Sequence, residues 1–157
     1  MPTHDEVNGS VRAWRWHHAG LVVPDLDEAI AFYSTALGYA VEFEVRGMAE
    51  QFARTVGVTG IRCDLAQLVS PLSDVRLELV RTYDVPPGLD PRLPVHVGVG
   101  HGAYVVDDLD AALAALEAAG GRAMGEVVEF DEGPAVYCWS PSGTVVELEG
   151  RDGCQRN

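Results

Sequence analysis

The sequence predicts an α+β fold made of two copies of one module, each with a strand, a helix and then three further strands. Three features predict it: a segment that begins at His18 recurs 83 residues later, each half closes with an alternating strand that carries a central glutamate, and a proline-rich segment separates the halves. The 157 residues are 47% apolar, which is enough for the core of a single domain.

The first module opens with a strand and a capped helix. Residues 16–23 are apolar or small apart from two histidines, and a proline follows them. Asp25 is a typical N-cap residue and Glu28 completes a capping-box pattern, so we expect a helix over residues 26–37. Gly38 supplies the left-handed residue that ends the helix.

The second module repeats this pattern. Residues 101–106 form an apolar strand, and an alanine- and leucine-rich helix follows. A shift of 83 residues superimposes the opening strand and helix of the first half on those of the second, which indicates an internal duplication. The equivalent pairs include His18 and His101, Asp25 and Asp108, and Gly38 and Gly121. The first module is longer, and residues 48–54 predict a short extra helix within it.

Both halves close with an alternating strand. Residues 75–80 carry Glu78 and residues 144–149 carry Glu147. Between the halves, residues 84–94 contain four prolines, which are incompatible with a helix or a central strand. The sequence therefore predicts one domain over residues 1–157, with module one at about 14–83, a linker at 84–94 and module two at about 95–150.

The charge of the chain excludes several classes of partner. The formal net charge is −13, from 24 acidic and 11 basic residues, and such a surface repels phosphate backbones and anionic membranes. The first ten residues are polar and unlike a secretory signal peptide, and no apolar run approaches the ~20 residues of a membrane span. We therefore expect a soluble, cytoplasmic protein that binds neither nucleic acid nor membranes.

The alternation of side chains along the strands predicts which residues share a face. His18 and Gly20 lie on one face of the first strand, and His17 lies on the other, more apolar face. The apolar faces are expected to pack against the helices, which leaves the opposite faces around an open concavity. This interpretation places four side chains in the concavity: His18, Glu78, His101 and Glu147. His17, in the opposite layer, and His96 are expected to be structural or exposed.

Two imidazoles and two carboxylates in one concavity predict a metal site. Both histidines and both glutamates occupy equivalent repeat positions, which chance placement does not explain. Two carboxylates balance the charge of a divalent cation and would repel each other without one. Zn, Ni, Fe, Mn and Co all suit this ligand set. We predict one divalent metal ion bound by His18, Glu78, His101 and Glu147.

Three further features are open to two interpretations each. Arg76 lies on the strand face of Glu78 and either binds an anionic substrate or makes a surface ion pair. Tyr137 and Trp139 alternate on one strand and either stack on a planar substrate or pack in the core. Residues 131–134 form a turn, either an ordinary hairpin or a mobile lip of the concavity.

Two stretches resemble the vicinal oxygen chelate superfamily of glyoxalases, bleomycin-resistance proteins and dioxygenases. The first is HAGLVVPDL at residues 18–26, followed by AFY at 31–33 and by Leu37-Gly38, and the second is WSPSGTVVEL at 139–148. The resemblance spans residues 15–149. It implies two tandem βαβββ modules that form a sheet-lined metal cup, with a His, Glu, His, Glu ligand set at the four positions predicted above.

The resemblance also implies a class of chemistry. Its members use a metal ion to chelate vicinal oxygens of a small substrate and to stabilise an enolate, as in glyoxalase-type lyases and in isomerases such as methylmalonyl-CoA epimerase. Glu147 or Glu78 is then the base that moves the proton, and the glyoxalase analogy favours Glu147. The charged residues on the same strand face also favour Glu147 as the base. Glu149 would raise the proton affinity of Glu147, and Arg76 would lower that of Glu78.

Two alternatives remain open. An Fe(II) extradiol-type dioxygenase would use His18, His101 and Glu147 as a facial triad, although Glu78 would close a position that oxygen or substrate needs. A metal-free antibiotic-binding resistance protein would need no metal ligands, and the complete set of four counts against it. The metal content of the purified protein separates enzyme from resistance protein.

We predict that the protein is a homodimer, because a two-module chain leaves open sheet edges and the superfamily members commonly pair. The mass of one chain is 16.9 kDa. Light scattering at micromolar concentration should therefore give about twice this mass, and the mass of a single chain would contradict the prediction.

Overall fold

The structure, a computed structural model, describes residues 14–151 and contains nine strands and three helices in that range. In chain order they are β1 (Arg15–Val22), α1 (Leu26–Leu37), β2 (Ala40–Met48), α2 (Glu50–Val56), β3 (Arg62–Val69), β4 (Arg76–Tyr83), β5 (Gly100–Val106), α3 (Leu109–Ala118), β6 (Arg122–Ala123), β7 (Val128–Phe130), β8 (Gly133–Trp139) and β9 (Val145–Gly150). None of these helices is long and apolar enough to cross a membrane.

All of the described strands belong to one mixed sheet. Their order is β2-β3-β4-β1-β5-β9-β8-β6, and β7 also pairs with β8. Each module opens and closes with a parallel pair, β1 with β4 and β5 with β9, and an antiparallel pairing of β1 with β5 joins the two modules. The predicted α+β fold of two repeated modules is confirmed. The order places the two histidine-bearing strands at the centre and the two glutamate-bearing strands on either side.

The helix that follows the opening strand of each module, α1 or α3, is confirmed together with its N-cap residue. Helix α1 has the predicted bounds, and the Asp25 side chain accepts a hydrogen bond of 2.9 Å from the backbone N–H of Glu28. Gly38 ends the helix with a φ of 72°. In the second module, the Asp108 side chain accepts the equivalent bond from the N–H of Ala111, also at 2.9 Å. The helix signals are local, so the sequence alone was sufficient to place them.

The second module departs from the predicted three strands after its helix. The strand equivalent to β2 is split into the short β6 and β7. The segment between them approaches the end of α2, where the backbone N–H of Glu126 donates to the carbonyl of Arg54 at 2.8 Å. Gly125 allows this approach, since a Cβ there would overlap the carbonyl oxygens of Arg54 and Thr55. A docking contact with the first module therefore interrupts the strand.

Three apolar clusters hold the helices to the sheet. Helix α1 packs through Leu26 on Leu68 and Leu79, and α3 packs through Leu116 on Leu148. Both lie on the sheet face opposite His18, as the alternation predicts.

Helix α2 contradicts the expectation that the other face is free. It packs through Phe52 and Val56 on a cluster that includes Val22 and Tyr137, on the inner face of the sheet. Burial of a side chain such as Phe52 contributes roughly 1.5–3 kcal/mol to stability. The inner face is apolar beyond the metal-ligand candidates, and α2 covers that apolar part.

The proline-rich segment after the first module has no regular secondary structure, as its prolines predict. Residues 84–94 contain no helix or strand, and Val85, Leu89 and Leu93 pack against the inner apolar cluster. The Thr82 hydroxyl donates to the carbonyl of Val95 at 2.7 Å, which ties the two ends of this segment together.

We predict that Gly20→Ala destabilises the joint between the modules. Gly20 on β1 pairs with His101 on β5, and a Cβ at this position would overlap the His101 imidazole, whose side chain is 2% exposed. Overpacking of this kind costs about 1–3 kcal/mol. The melting temperature should therefore fall by roughly 3–10 °C.

Gly102→Ala is the matched control on β5. A Cβ at Gly102 would meet the Trp16 ring at 2.9 Å, but Trp16 is 53% exposed and is free to move away. The melting temperatures of both variants are measured by thermal unfolding. Equal melting temperatures would show that the overlap with His101 does not destabilise the fold more than the overlap with Trp16 does.

Candidate metal centre

Four buried side chains converge at the middle of the sheet. The Nε2 atoms of His18 and His101 lie 3.3 Å apart, and Oε2 of Glu147 lies 3.2 Å from each of them. Oε1 of Glu78 lies 3.8 Å from Nε2 of His18 and 3.7 Å from Nε2 of His101. The structure thus brings together all four residues predicted as metal ligands.

The sheet register accounts for this convergence. Gly20 on β1 pairs with Glu78 on β4 and with His101 on β5, while Ala103 on β5 pairs with Glu147 on β9. The four functional side chains point to the inner face at adjacent positions of four adjacent strands. Gly20 and Ala103 are small, and the imidazole of His101 leans across the space that a side chain at Gly20 would fill.

The spacing of His18, His101 and Glu147 fits a divalent metal ion, and Glu78 lies slightly farther from the two imidazoles, at 3.7 and 3.8 Å. Ligand atoms at about 2.1 Å from a metal lie about 3.0–3.4 Å from one another in octahedral and tetrahedral geometries. Among the described residues, Oε2 of Glu147 and Nδ1 of His101 are buried and make no hydrogen bond. A buried acceptor without a partner is expensive, and a cation between the four groups would satisfy Glu147. The four side chains could therefore hold a metal ion.

Burial and close contact shift the pKa values of the carboxyl groups and of His18 in this group of four side chains. Burial raises the pKa of Glu78. Burial would likewise raise the pKa of Glu147, but the imidazoles of His101 and His18, each 3.2 Å from its Oε2, hold it well below its usual value. Burial would lower the pKa of His18, but Glu78, Glu147 and Glu149 raise it to about 9. A proton on His18 thus supplies positive charge beside the carboxylates when no cation is bound.

The sequence argument that distinguished Glu147 from Glu78 by their neighbours was wrong. Arg76 donates to Glu42 at 3.0 and 3.2 Å, in place of an interaction with Glu78. The pKa of Glu147 is lowered and that of Glu78 is raised, which is the opposite of the expectation. Burial and the two imidazoles outweigh the neighbours along each strand, because the imidazoles lie within 4 Å of both carboxylates.

The position predicted for His17 was also wrong. The pairing of β1 with β5 is irregular between Trp16 and His18, where one extra residue occupies β1. This bulge reverses the alternation, so that His17 lines the same cavity as the metal-ligand candidates. Its Nδ1 lies 2.9 Å from Nδ1 of His18 and 3.3 Å from Oε2 of Glu149. The adjacent histidines were visible in the sequence, but the bulge was not.

Two of the four groups, Glu78 and Glu147, line a cavity with a volume of about 1060 Å³. One wall is apolar and comes from β2, α2 and β3, with the side chains of Phe43, Val45, Met48, Phe52 and Leu65. Glu42, Gln67 and Arg76 form a hydrogen-bonded group on the same side. Sequence reasoning missed Glu42 and Gln67, since only the pairing of β3 with β2 on one side and β4 on the other brings them beside Arg76 and the cavity.

The remaining predicted features divide between cavity and core. Residues 131–132 form the turn of a β7–β8 hairpin, and this turn lines the cavity rim. Tyr137 borders the cavity, with its ring 5.1 Å from that of His101. Trp139 packs in the inner apolar cluster below Arg92 and does not line the cavity. His96 lies outside the cavity as well.

Solved structures similar to this chain share its architecture. Methylmalonyl-CoA epimerase from Mycobacterium tuberculosis is 25% identical, with a TM-score of 0.66 and coverage of 95% of this chain and 96% of that one. A methylmalonyl-CoA epimerase variant from Streptomyces coelicolor is 20% identical, with a TM-score of 0.58 and coverage of 91% and 98%. A mutant of 4-hydroxymandelate synthase from Streptomyces coelicolor is 17% identical, with a TM-score of 0.63 and coverage of 100% and 57%. The last two likenesses show the fold alone.

No curated protein matches the chain by sequence. The model of one family does match, over residues 17–137, a range that holds three of the four converging side chains and most of both modules. Together with the paired modules and the buried histidines and glutamates, this match identifies the chain as a member of the glyoxalase/bleomycin resistance protein/dioxygenase superfamily.

Proposed function

We propose that the protein is a divalent-metal-dependent enzyme that moves a proton on and off a carbon atom beside two vicinal substrate oxygens. The reaction belongs to the glyoxalase type, as a lyase or as an epimerase or other isomerase. The observation that carries the proposal is the convergence of two carboxylates and two imidazoles, with both carboxylates lining a partly apolar cavity. A divalent ion held by these groups would supply Lewis-acid polarisation of the two substrate oxygens.

The strand order suits proton transfer on two sides of a substrate. β4 and β9 flank the central pair β1 and β5, so Glu78 and Glu147 come from opposite sides of the two imidazoles. An epimerase removes a proton from one face of a carbon atom and returns one to the other face. Carboxylates on opposite flanks give a substrate beside the imidazoles a candidate base on either side.

Geometry distinguishes the two glutamates. Oε2 of Glu147 is 3.2 Å from both imidazole Nε2 atoms, whereas Oε1 of Glu78 is 3.7 and 3.8 Å from them. The more distant carboxylate is the one with freedom to leave the cluster. We therefore assign Glu147 mainly to metal binding and Glu78 to proton transfer, in place of the preference for Glu147 that the sequence suggested.

The cavity favours a small substrate with one apolar part. Its polar lining includes Glu78 and Glu147, and its apolar wall would contact an alkyl or aryl group. The likeness to the Mycobacterium tuberculosis epimerase, over 95% of this chain, supports an epimerase within the glyoxalase type. A metal-free binding protein is disfavoured, because it would leave two buried carboxylates opposite each other without a role.

A dioxygenase is the second candidate function. His18, His101 and Glu147 are mutually within 3.2–3.3 Å, and Glu78 is farther away, which also fits a facial triad of two histidines and one carboxylate. Glu78 counts against it, because a fourth carboxylate beside the triad blocks a position that oxygen or substrate would use.

The proposal is tested with the purified protein loaded in turn with Zn, Ni, Fe, Mn and Co. Hemithioacetals, acyl-CoA epimers and catechols are the substrates to screen. Turnover of a hemithioacetal or an epimer would support a lyase or isomerase. Oxygen consumption with a catechol and Fe(II) would show that the protein is a dioxygenase and contradict the proposed lyase or isomerase. An inactive protein with no bound metal would favour the antibiotic-binding alternative.

We predict that His18→Ala and His101→Ala each remove most of the bound metal. Loss of one of four ligands should weaken binding by more than about 100-fold, beyond the effect of losing an outer-shell partner. Elemental analysis after dialysis measures the metal content. His96→Ala, outside the cavity, is the matched control and should keep its metal. Full occupancy in His101→Ala would refute the site.

We predict different effects for Glu78→Gln and Glu147→Gln. Glu78→Gln should keep its metal and lose turnover by ~10²–10⁴-fold, the usual contribution of a proton-transfer base. Glu147→Gln should bind metal more weakly and recover activity when metal is added. The readouts are metal content and exchange of the substrate proton with solvent deuterium.

Glu44→Gln is the control for these variants, because Glu44 pairs with Arg46 on the surface and not with the cluster. Recovery of Glu78→Gln by metal, with an inactive but metal-loaded Glu147→Gln, would reverse the two assignments. Unchanged exchange in both variants would eliminate proton transfer by either carboxylate.

A further inference from the structure

We infer that His17 and Glu149 are positioning residues that hold His18 in the orientation and tautomer required for metal binding. The inference rests on the proposed metal-dependent function. The three side chains form a group behind the metal-ligand candidates. Nδ1 of His18 lies 2.9 Å from Nδ1 of His17 and 3.6 Å from Oε1 of Glu149.

The chemistry of imidazole makes such a partner necessary. Nε2 of His18 points at His101 and Glu147, so it is the nitrogen that would bind the metal. A neutral imidazole that binds through Nε2 carries its proton on Nδ1 and must donate it. The side chain of His18 is 1% exposed, so the acceptor has to come from the protein. An outer acceptor of this kind fixes the ring and increases its basicity as a ligand.

His17 is the acceptor at hydrogen-bond distance. With the proton on Nδ1 of His18, Nδ1 of His17 is free to accept at 2.9 Å, and His17 carries its own proton on Nε2. Glu149 lies beside both rings, at 3.6 Å from Nδ1 of His18 and 3.3 Å from Nδ1 of His17. Its carboxylate places negative charge next to the N–H of His18, and a small rotation would let it accept that proton directly.

The internal repeat shows that this arrangement is particular to one ligand. The equivalent of His17 in the second module is Gly100, and the equivalent of Glu149 in the first module is Val80. Nδ1 of His101 is accordingly buried and makes no hydrogen bond within residues 14–151. The ring of His101 is instead held by packing against Gly20 and Tyr137.

The bulge in β1 is the device that allows the arrangement. Regular alternation would put His17 and His18 on opposite faces of the sheet. The irregularity between Trp16 and His18 brings both side chains to the inner face, where they meet at 2.9 Å. The bulge therefore explains why the His17 side chain contacts that of His18 on the inner face of the sheet.

The experiment measures metal affinity in His17→Ala, His17→Gln and Glu149→Gln. Zn²⁺ affinity is obtained by competition with a chelator, and the ligand field is read from the visible spectrum of the Co²⁺ protein. His17→Ala and Glu149→Gln should bind Zn²⁺ about 10–100-fold more weakly, as expected for a lost outer-shell partner. Their Co²⁺ spectra should shift, and the melting temperatures of the metal-free proteins should stay near that of the parent. His17→Gln should recover affinity, because its carbonyl oxygen can accept the same proton.

Glu132→Gln is the matched control, because it removes one negative charge from the cavity rim at an exposed position away from His18. It should change affinity by no more than about threefold, since exposed charges are well screened. Equal losses in Glu132→Gln and Glu149→Gln would show a general charge effect and overturn the inference. Parental affinity and spectra in His17→Ala would overturn it as well.

The metal content of His18→Ala and His17→Ala distinguishes failure of the positioning role from failure of the proposed metal site. If His18→Ala loses its metal but His17→Ala does not, only the positioning role fails. If His18→Ala keeps its metal, the proposed site itself fails. Binding of two metal ions per chain, with the second lost in His17→Ala, would assign His17, His18 and Glu149 to a second metal site and overturn the positioning role.

Discussion

The burial of two carboxylates against each other is the constraint on which the rest of the site depends. Glu78 and Glu147 are each about 10% exposed and face the same pair of imidazoles. Such a group is tolerated in a protein interior only with compensating positive charge. The raised pKa of His18 shows that protons can supply it, and a divalent cation supplies the same charge with better geometry for four converging ligand atoms.

The joint between the modules brings the two halves of the candidate metal site together. Each module alone contributes one imidazole and one carboxylate, which is too few for a stable metal site. The antiparallel pairing of β1 with β5 places the two half-sites side by side, and the absence of a side chain at Gly20 lets His101 reach His18. Assembly of the sheet and assembly of the candidate site are therefore the same event, and α2 closes the apolar end of the resulting cavity.

The duplication has not left the two halves chemically equal. Nδ1 of His18 lies beside His17 and Glu149, whereas Nδ1 of His101 has no hydrogen-bond partner among the described residues. Glu147 lies closer to both imidazoles than Glu78 does. Equivalent residues of the two halves therefore lie in different surroundings, in spite of the duplication.

The sequence alone determined the repeat, both long helices with their caps, and the four converging residues, because each of these depends on local chemistry or on equivalence between the halves. Asp25, Gly38 and Asp108 act within one turn of chain, and a duplication marks paired ligands without any knowledge of packing. The bulge that turns His17 inward, the docking of α2 and the hydrogen-bonded group of Glu42 and Gln67 were decided by the tertiary structure. So was the order of proton affinity of Glu78 and Glu147. Strand register and burial act between residues far apart in sequence, and they outweigh the alternation and neighbouring charges that a single strand reveals.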